Sequence, residues 1–282
     1  MATRKRDSKV PVAVVTGGAR GIGLAIGEWF LARGHGVALL DIDRATLAET
    51  AKRFAGEPRM LAIDCDVRDP EAVGAAVRRI VAAFGRIDAL VNNAGVAVFK
   101  PVLETTLADW TYVVETNLTG AFICSQACAA VMLKGGGGAI VNVASISGLR
   151  ASTLRVAYGT SKAAMIHMTR QFAAELGTVG IRVNCIAPGP VDTAMAKLVH
   201  TAAIRQDYHD TIPLNRYGTT EEIADAVGYL CSPAASYVNG QTLAVDGGFE
   251  ATGVGLPTLR RDAAQSAASA SMPKARARRK LT

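Results

Sequence analysis

Tyr158 and Lys162 are the residues of this 282-residue sequence best placed to do chemistry together. They stand four positions apart in a stretch predicted to be helical, and side chains at i and i+4 lie on one helix face because the α-helix repeats every ~3.6 residues. An ammonium group close to a phenol favours the phenolate, so we expect Lys162 to lower the pKa of Tyr158 from its reference value of ~10 toward neutral pH. The spacing predicts a general acid/base. Such pairs also occur by chance on many helices, so the assignment depends on the surrounding residues.

Ser145 supplies a hydroxyl group thirteen positions before Tyr158. It follows the apolar stem of residues 140–144, which is typical of a buried strand in a parallel sheet. A hydroxyl at the C-terminal end of such a strand could hold the oxygen of a substrate. Ser145, Tyr158 and Lys162 therefore form a candidate catalytic set.

A glycine-rich loop follows the first predicted strand. Residues 10–15 form a short apolar run, Gly17, Gly21 and Gly23 follow in a Gly-x3-Gly-x-Gly pattern, and apolar residues then recur at helical spacing from Leu24. In a strand-loop-helix unit, such glycines allow a tight turn and let the backbone and the helix N-terminus approach a pyrophosphate. By itself, the pattern also fits an ordinary glycine-rich turn between a strand and a helix.

Several motifs stand together in one order along residues 10 to 250. They are Thr16-Gly17-Gly18-Ala19-Arg20-Gly21-Ile22-Gly23, Asn92-Asn93-Ala94-Gly95, Asn117, Ser145, Tyr158 with Lys162, and Pro188-Gly189. In this set and order the sequence resembles the short-chain dehydrogenase/reductase family, and no catalytic position departs from the family's pattern. The resemblance implies an NAD(P)-dependent oxidoreductase that acts on CH-OH groups.

The resemblance also implies a role for each candidate catalytic residue. Ser145 would hold the substrate oxygen and Tyr158 would exchange the proton, while Lys162 would lower the tyrosine pKa and contact a ribose of the cofactor. Asn117 falls inside the helix predicted over residues 110–132. In the family such an asparagine lies at a slight helical distortion and holds a water that relays protons to the lysine; otherwise it would be a solvated or locally bonded side chain.

Most of the expected cofactor contacts are carried over from the family in the same way. The residues are Gly17, Arg20, Gly21, Ile22, Gly23, Asp41, Asp66, Val67, Asn93, Ala94, Gly95, Tyr158, Lys162, Pro188, Gly189, Val191 and Thr193. The backbone of Val191 and the hydroxyl of Thr193 would hold the nicotinamide carboxamide. Two assignments keep a structural alternative: Asp66 could cap the following helix, and Asn93 could tie its loop to neighbouring backbone.

The identity of the cofactor depends on Asp41, which ends the second predicted strand. A carboxylate about 20 residues beyond the glycine loop can accept hydrogen bonds from the ribose hydroxyls of NAD and would repel the 2′-phosphate of NADP. Arg20 and Arg44 argue for NADP, since relatives that use it often carry basic residues near these places. The sequence favours NAD over NADP.

The apolar runs and the segments between them predict one α/β domain over residues 10–252. Seven strands that alternate with helices imply a doubly wound parallel sheet, the Rossmann arrangement, with helices on both faces. A long connection at about residues 194–216 lies where the family places its substrate lid. We predict a basic N-terminal arm at residues 1–9 and a flexible basic tail at residues 253–282.

The positive charge of the chain belongs to its two ends. The formal net charge is +7, residues 1–9 contribute +3 and residues 260–282 contribute +6, which leaves −2 for the body. We therefore expect no dedicated nucleic-acid surface, and at most non-specific polyanion binding by the C-terminal tail.

The cysteines, histidines and apolar runs exclude other classes of protein. Five cysteines without a CxxC pair and four scattered histidines predict no metal site. No uninterrupted apolar run reaches the ~18 residues of a membrane span, and residues 10–15 are too short for a signal-peptide core. The sequence predicts a soluble cytoplasmic protein with no membrane contact, and the resemblance implies a homo-oligomer, a tetramer or a dimer.

The sequence says least about the part of the site that binds the substrate. Residues expected around it indicate a moderately apolar pocket without a carboxylate clamp, and they favour a neutral secondary alcohol such as a sugar alcohol, a cyclic alcohol or a steroid. These residues are Val96, Ala97, Ser147, Leu149, Ala151, Met195 and Leu198. The predicted activity is hydride transfer between NAD(H) and a secondary alcohol or ketone. Alternatives are an NADP-dependent 3-oxoacyl-thioester reductase and a non-catalytic nucleotide sensor with a polyanion-binding tail.

Overall fold

Seven short apolar segments form the strands of one parallel sheet. They are β1 (Val12–Thr16), β2 (Gly36–Asp41), β3 (Met60–Asp64), β4 (Ala89–Asn92), β5 (Gly138–Val143), β6 (Ile181–Pro188) and β7 (Thr242–Val245). Their order across the sheet is β3-β2-β1-β4-β5-β6-β7. The order runs in opposite directions on the two sides of β1, which is the doubly wound arrangement that the sequence predicts.

Helices occupy the segments between the strands. They are α1 (Gly21–Ala32), α2 (Arg44–Arg53), α3 (Pro70–Phe84), α4 (Leu107–Val114), α5 (Gly120–Lys134), α6 (Val156–Leu176), α7 (Ala194–Val199), α8 (Ala202–Thr211) and α9 (Thr220–Cys231). Several helices begin with a side-chain cap. Thr219 and Glu222 form a reciprocal capping box at the start of α9, and this satisfies backbone N–H groups that have no helical partner.

The sheet has an apolar layer on each face. Side chains alternate between the faces of a strand, so Val12 and Val14 of β1 point into one layer while Ala13 and Val15 point into the other. The first layer also contains buried residues of α3, α5 and α6, and the second contains those of α1, α2 and α9. The sheet is therefore covered on both faces, and the carboxyl ends of its strands form the free edge on which loops can build a site.

A π-helical turn at Glu115–Thr119 joins α4 to α5. Together they form a helix over Leu107–Lys134 that is long and apolar enough, by length and composition alone, to cross a membrane. Its inner face packs in the sheet core, where Cys124, Cys128 and Met132 are buried. Packing of this kind is typical of a helix in the core of a globular domain.

The computed structural model describes residues 10–253 and 255–259. The predicted basic arm at residues 1–9 and the tail from residue 260 onward lie outside the described residues. Within the segment predicted to be a flexible tail, residues 257–259 are helical.

Candidate active site

One cavity of about 760 Å³ opens at the carboxyl ends of the strands. It is lined by all of the predicted cofactor-binding residues, and also by Ser145. Asp41, Asp43 and Asp66 line one region, which we call the carboxylate end, and Ser145 and Tyr158 line another, which we call the tyrosine end. The fold therefore brings together predicted cofactor-binding residues that are up to 176 positions apart in the chain, from Gly17 to Thr193.

The glycine loop is fixed to the loop after β4 by Asn93. The amide Nδ2 of Asn93 donates to the carbonyl oxygens of Thr16 and Gly17, both at 3.0 Å. In return, the hydroxyl of Thr16 accepts hydrogen bonds from the backbone N–H groups of Asn93 and Ala94, each at 3.0 Å. The side chain of Asn93 therefore has the structural role, and it shapes the cradle between the two loops.

The cradle fits a dinucleotide because the glycine loop and the N-terminus of α1 line the cavity together. Gly17 and Gly21 have φ angles of 63° and 57°, in the left-handed region that favours glycine. A Cβ on Gly23 would lie 2.1 Å from the carbonyl oxygen of Gly17. The first turn of α1 thus lies against the loop, and its N-terminus faces the cavity where a pyrophosphate would be held.

Asp41 holds the glycine loop from the carboxylate end. Its Oδ2 accepts from the backbone N–H of Ala19 and its Oδ1 from that of Asp43, both at 3.0 Å. A carboxylate has about four lone-pair sites, so each oxygen keeps the capacity to accept a further hydrogen bond from a ribose hydroxyl. Arg20 and Arg44, the residues that argued for NADP, form ion pairs with Asp43 and Asp64.

Asp66 is paired with Arg68, which binds both of its carboxylate oxygens. Hydrogen bonds from the guanidinium hold the pKa of Asp66 below its usual range. The alternative that Asp66 caps the following helix is wrong, because the side chain of Asp69 accepts from the backbone N–H of Glu71 at the start of α3. Asp66 and Val67 line the carboxylate end of the cavity.

Tyr158 and Ser145 line the tyrosine end together, and the hydroxyl of Ser145 acts on the pKa of Tyr158. Ser145 also accepts from the backbone N–H of Ser147 at 3.1 Å, which fixes the direction of its hydroxyl oxygen. Burial raises the pKa of Tyr158, while the hydroxyl of Ser145 and the positive charge of Arg155 act in the lowering direction. The net direction is opposite to the one that the Tyr-Lys spacing predicted, because the removal of the phenol from water outweighs the effect of nearby groups.

Lys162 lies beneath the tyrosine ring and is almost completely buried. Its Nζ is 5.7 Å from the centroid of the Tyr158 ring and donates to the carbonyl oxygen of Val143 at 2.7 Å. Among the described residues it has no carboxylate within ion-pair distance. Burial therefore lowers the pKa of Lys162 to about 8.

The buried ammonium of Lys162 gives the protein a pH-dependent stability. The pKa of Lys162 is about 8 in the folded chain, against an ordinary value of 10.5, so between these values only the unfolded chain binds the proton. Stability then rises with pH across this window, by up to ~1.4 kcal/mol per pH unit. We expect the free energy of unfolding of the cofactor-free protein to rise more steeply between pH 8 and 10 in wild type than in Lys162→Met.

Urea unfolding at several pH values measures this difference. Lys52→Met is the matched control, because the Lys52 side chain is 72% exposed and should leave the slope at its wild-type value. Parallel curves for wild type and Lys162→Met would show that the ammonium of Lys162 keeps its ordinary affinity for protons in the folded state.

Asn117 lies behind the cavity, in the π-helical turn between α4 and α5, and is the one predicted catalytic residue that does not line the cavity. Its Oδ1 accepts from the backbone N–H of Val96 at 2.8 Å, and its Nδ2 donates to the carbonyl of Val96 and the hydroxyl of Ser161, both at 3.0 Å. The helical distortion implied by the resemblance is present. A Cβ on Gly95 would lie 3.3 Å from Asn117 Oδ1 and 3.5 Å from Lys162 Nζ, so both polar groups meet at this glycine.

The segment after β6 closes the cavity opposite the glycine loop. Gly189 passes so close to Asp246 that a Cβ on it would lie 2.7 Å from the Asp246 Cα. Thr193 caps α7, and its hydroxyl oxygen accepts from the backbone N–H of Ala196 at 3.1 Å. Because a hydroxyl can donate as well as accept, Thr193 keeps a donor for the carboxamide contact that the resemblance implies.

The predicted lid contains α7 and α8, and its rings pack beside the tyrosine end. His200 Nδ1 lies 3.0 Å from the hydroxyl of Tyr217, and the rings of His200 and Tyr208 are 5.2 Å apart. Burial lowers the pKa of His200, and the charges of Arg155 and Arg205 add to this effect. A neutral His200 at neutral pH follows from these causes.

Several residues of the tyrosine end were not predicted. They are Phe99, Arg155, His200 and Tyr208, which line the cavity. Among the residues expected there, Val96, Ala97 and Ser147 line it, Leu149 and Ala151 do not, and the side chains of Met195 and Leu198 lie outside the described part of the chain. The prediction of a pocket without a carboxylate clamp did not include Arg155, which lines the cavity. Its position three residues before Tyr158 was the available signal.

Comparisons with known proteins agree with this geometry. Residues 17–250 match a family model described as Enoyl-(Acyl carrier protein) reductase. D-threitol dehydrogenase of Mycolicibacterium smegmatis is 39% identical over 84% of this chain and 92% of its own. A 3-oxoacyl-[acyl-carrier-protein] reductase of Synechocystis sp. is 37% identical over 84% of this chain and 96% of its own.

A solved structure shows the same fold. The crystal structure of levodione reductase superposes with a TM-score of 0.81 at 33% identity, and the match covers 86% of this chain and 98% of that one. The residues that match the family model, 17–250, include Gly17, Gly21 and Gly23 of the glycine loop and the segment that carries Tyr158 and Lys162. The chain therefore belongs to the short-chain dehydrogenase/reductase family, whose members are oxidoreductases of alcohols and ketones.

Proposed function

We propose that this protein transfers hydride between NAD(H) and a secondary alcohol or ketone, with Tyr158 as the general acid/base. The observation that carries the proposal is that Ser145, Tyr158 and Lys162 line the same cavity as the glycine loop and the N-terminus of α1, which form a dinucleotide cradle. Two hydroxyl groups in this cavity can share one substrate oxygen.

Each residue of the tyrosine end has a distinct part in the proposed reaction. When bound, the nicotinamide accepts hydride from the carbinol carbon or returns it to a ketone. The hydroxyl of Ser145 holds the substrate oxygen, and Tyr158 takes up or delivers the proton of that oxygen. Lys162 places a positive charge beneath the ring of Tyr158 and stabilises the phenolate that forms. Asn117 fixes the loop at Val96 through two hydrogen bonds.

We propose NAD as the cofactor because of the charges at the carboxylate end. Asp41 and Asp43 place two carboxylates where a 2′-phosphate would have to lie. The guanidinium of Arg20 is bound to Asp43 at 2.8 Å, so part of its charge is already compensated. A phosphate at this position would meet net repulsion, while ribose hydroxyls would find acceptors on Asp41.

The second candidate is an NADP-dependent reduction of 3-oxoacyl thioesters. The relative from Synechocystis supports it, since that protein is named as a 3-oxoacyl-[acyl-carrier-protein] reductase. The same tyrosine and serine would serve this reaction in the reducing direction, so the two candidates differ in substrate and cofactor rather than in chemistry.

A substrate panel with both cofactors tests the proposal. Secondary alcohols, cyclic ketones and a 3-oxoacyl thioester are followed at the absorbance of reduced nicotinamide, with NAD(H) and NADP(H) in parallel. We expect turnover of an alcohol/ketone pair with NAD(H), and a 10- to 100-fold loss of kcat/KM for NAD in Asp41→Asn, since hydrogen bonds to a charged group contribute ~1.5–3 kcal/mol.

Asp41→Asn keeps an oxygen that can accept from Ala19, so the loop stays anchored while the charge is removed. Asp64→Asn is the control for loss of a carboxylate outside the cavity. Turnover of the thioester with NADP(H), unchanged in Asp41→Asn, would establish the second candidate instead.

A further inference from the structure

Arg155 places a guanidinium group in the wall of the tyrosine end. The side chain is partly buried, and no carboxylate of the described residues lies within ion-pair distance of it. Its guanidinium carbon is 4.8 Å from the centroid of the Phe99 ring. Stacking on a ring holds the plane of the guanidinium while the N–H groups at its edge stay able to donate.

The ionisable groups near Arg155 do not offer it a negatively charged partner. Its charge acts on Tyr158, His200 and Tyr217, which are neutral groups at neutral pH. The next cation, Arg205, is bound to Asp192 at 3.1 Å and lies 4.7 Å from the centroid of the Tyr217 ring. The tyrosine end therefore has an uncompensated positive charge.

The carboxylates that line the cavity lie at its other end. Asp41 anchors the glycine loop, Asp43 binds Arg20, and Asp66 binds Arg68. The cofactor phosphates belong beside the glycine loop and the N-terminus of α1, away from Phe99 and the lid. A buried or half-buried charge without a partner is unfavourable. Because the described residues supply no anionic partner for Arg155, we expect its guanidinium to bind an anionic group of a ligand.

We propose that Arg155 binds a carboxylate group of the substrate. This inference rests on the proposed function and narrows it: the substrate is a secondary alcohol or ketone that also carries a carboxylate, rather than the neutral alcohol that the sequence favoured. A carboxylate matches the edge of a guanidinium with two parallel hydrogen bonds. With its oxygen on Ser145 and Tyr158 and its carboxylate on Arg155, the substrate would be held at two points, which orients the carbinol carbon.

Matched substrates that differ only in charge test this inference. We would measure kcat/KM for (ω−1)-hydroxy acids of five to eight carbons and for their carboxamides, with wild type, Arg155→Met and Arg155→Lys. Wild type is expected to prefer the acid of suitable length by about 10- to 100-fold. In Arg155→Met the kcat/KM for the acid should fall at least 10-fold more than the kcat/KM for the amide, because both substrates feel the lost charge near Tyr158 but only the acid loses a binding partner. Arg155→Lys should keep part of the preference because it keeps the charge.

Arg53→Met is the charge-matched control. Arg53 pairs with Glu28 on the surface and does not line the cavity, so the preference for the acid should persist in this variant. A preference that falls equally in Arg53→Met and Arg155→Met would reflect the net charge of the protein and would overturn the assignment to Arg155.

A binding measurement separates this inference from the proposed function. Dissociation constants of hexanoate and hexanamide are obtained by NMR titration with wild type and Arg155→Met. Hexanoate binding that weakens about 10-fold or more in the variant supports the inference even if no compound is turned over, in which case the proposed function alone fails. Turnover without preference for the acid, or no hexanoate binding that depends on Arg155, overturns the inference.

Discussion

Tyr158→Phe is expected to lower kcat about 10³-fold, because general acid/base catalysis contributes ~10²–10⁴ in rate. The change removes one oxygen atom and leaves the ring in place above Lys162. The lost hydroxyl belongs to the tyrosine end, which Ser145 also lines, and it is the group that would transfer the proton. Ser145 can still hold the substrate oxygen, so KM should change much less than kcat.

Two measurements make the Tyr158 result specific. The dissociation constant of NADH should stay within about threefold of wild type, because Tyr158→Phe leaves the carboxylate end and the glycine loop untouched. Tyr237→Phe is the matched control, since Tyr237 is fully exposed and far from the cavity, and it should keep wild-type kcat. If chemistry limits the rate and Tyr158→Phe turns over as fast as wild type, another group transfers the proton.

Gly23→Ala should weaken NADH binding by at least 100-fold. The added Cβ would lie 2.1 Å from the carbonyl oxygen of Gly17 and 2.5 Å from Nδ2 of Asn93, distances that require atoms to move. The Gly17 oxygen is backbone, and Asn93 is the side chain that ties the two loops together, so neither can move without opening the cradle. Overpacking of this kind displaces backbone rather than a flexible side chain.

Gly74→Ala is the matched control for this substitution. Gly74 also lies in a helix, and a Cβ there would meet only Nη1 of Arg78 at 3.4 Å, the far end of a flexible side chain. Alanine is favoured over glycine inside a helix by ~0.5–1 kcal/mol, so this variant should be slightly more stable than wild type and bind NADH unchanged. NADH affinity is measured by its fluorescence, and thermal unfolding checks that Gly23→Ala is folded. Unchanged affinity in a folded Gly23→Ala protein would mean that the loop does not approach the cofactor.

Local chemistry in the sequence was enough to predict the strands, the glycine loop and the candidate catalytic residues. The strands are short apolar runs, of which β2, β3 and β4 end in aspartate or asparagine, and β1 and β6 are followed by glycine. A strand buried on both faces is apolar throughout and shows no alternation of polar and apolar residues. The π-helical turn at Asn117 came from the family resemblance rather than from helix propensity. The cofactor, the oligomeric state and the roles of the individual site residues stay predictions.

Tertiary structure decided whatever depends on burial and on partners far away in the chain. The spacing of Tyr158 and Lys162 predicted that they share a helix face. Their burial depends on the segments packed around them, and this burial raises the pKa of the tyrosine and lowers that of the lysine. Desolvation is set by every element packed around a group, so no short stretch of sequence contains it.

The same reason explains why the sequence did not show the partners of Asp66 and Arg155. Asp66 pairs with Arg68, and Asp69 takes the cap that the position of Asp66 had suggested. The guanidinium of Arg155 packs on the ring of Phe99, which is 56 positions earlier in the chain. Both residues therefore line the tyrosine end of the cavity. By itself, the sequence determined which residues can carry hydride-transfer chemistry; only the packing of distant segments decided the charges that surround them, because electrostatic energies depend on distance and on exclusion of water.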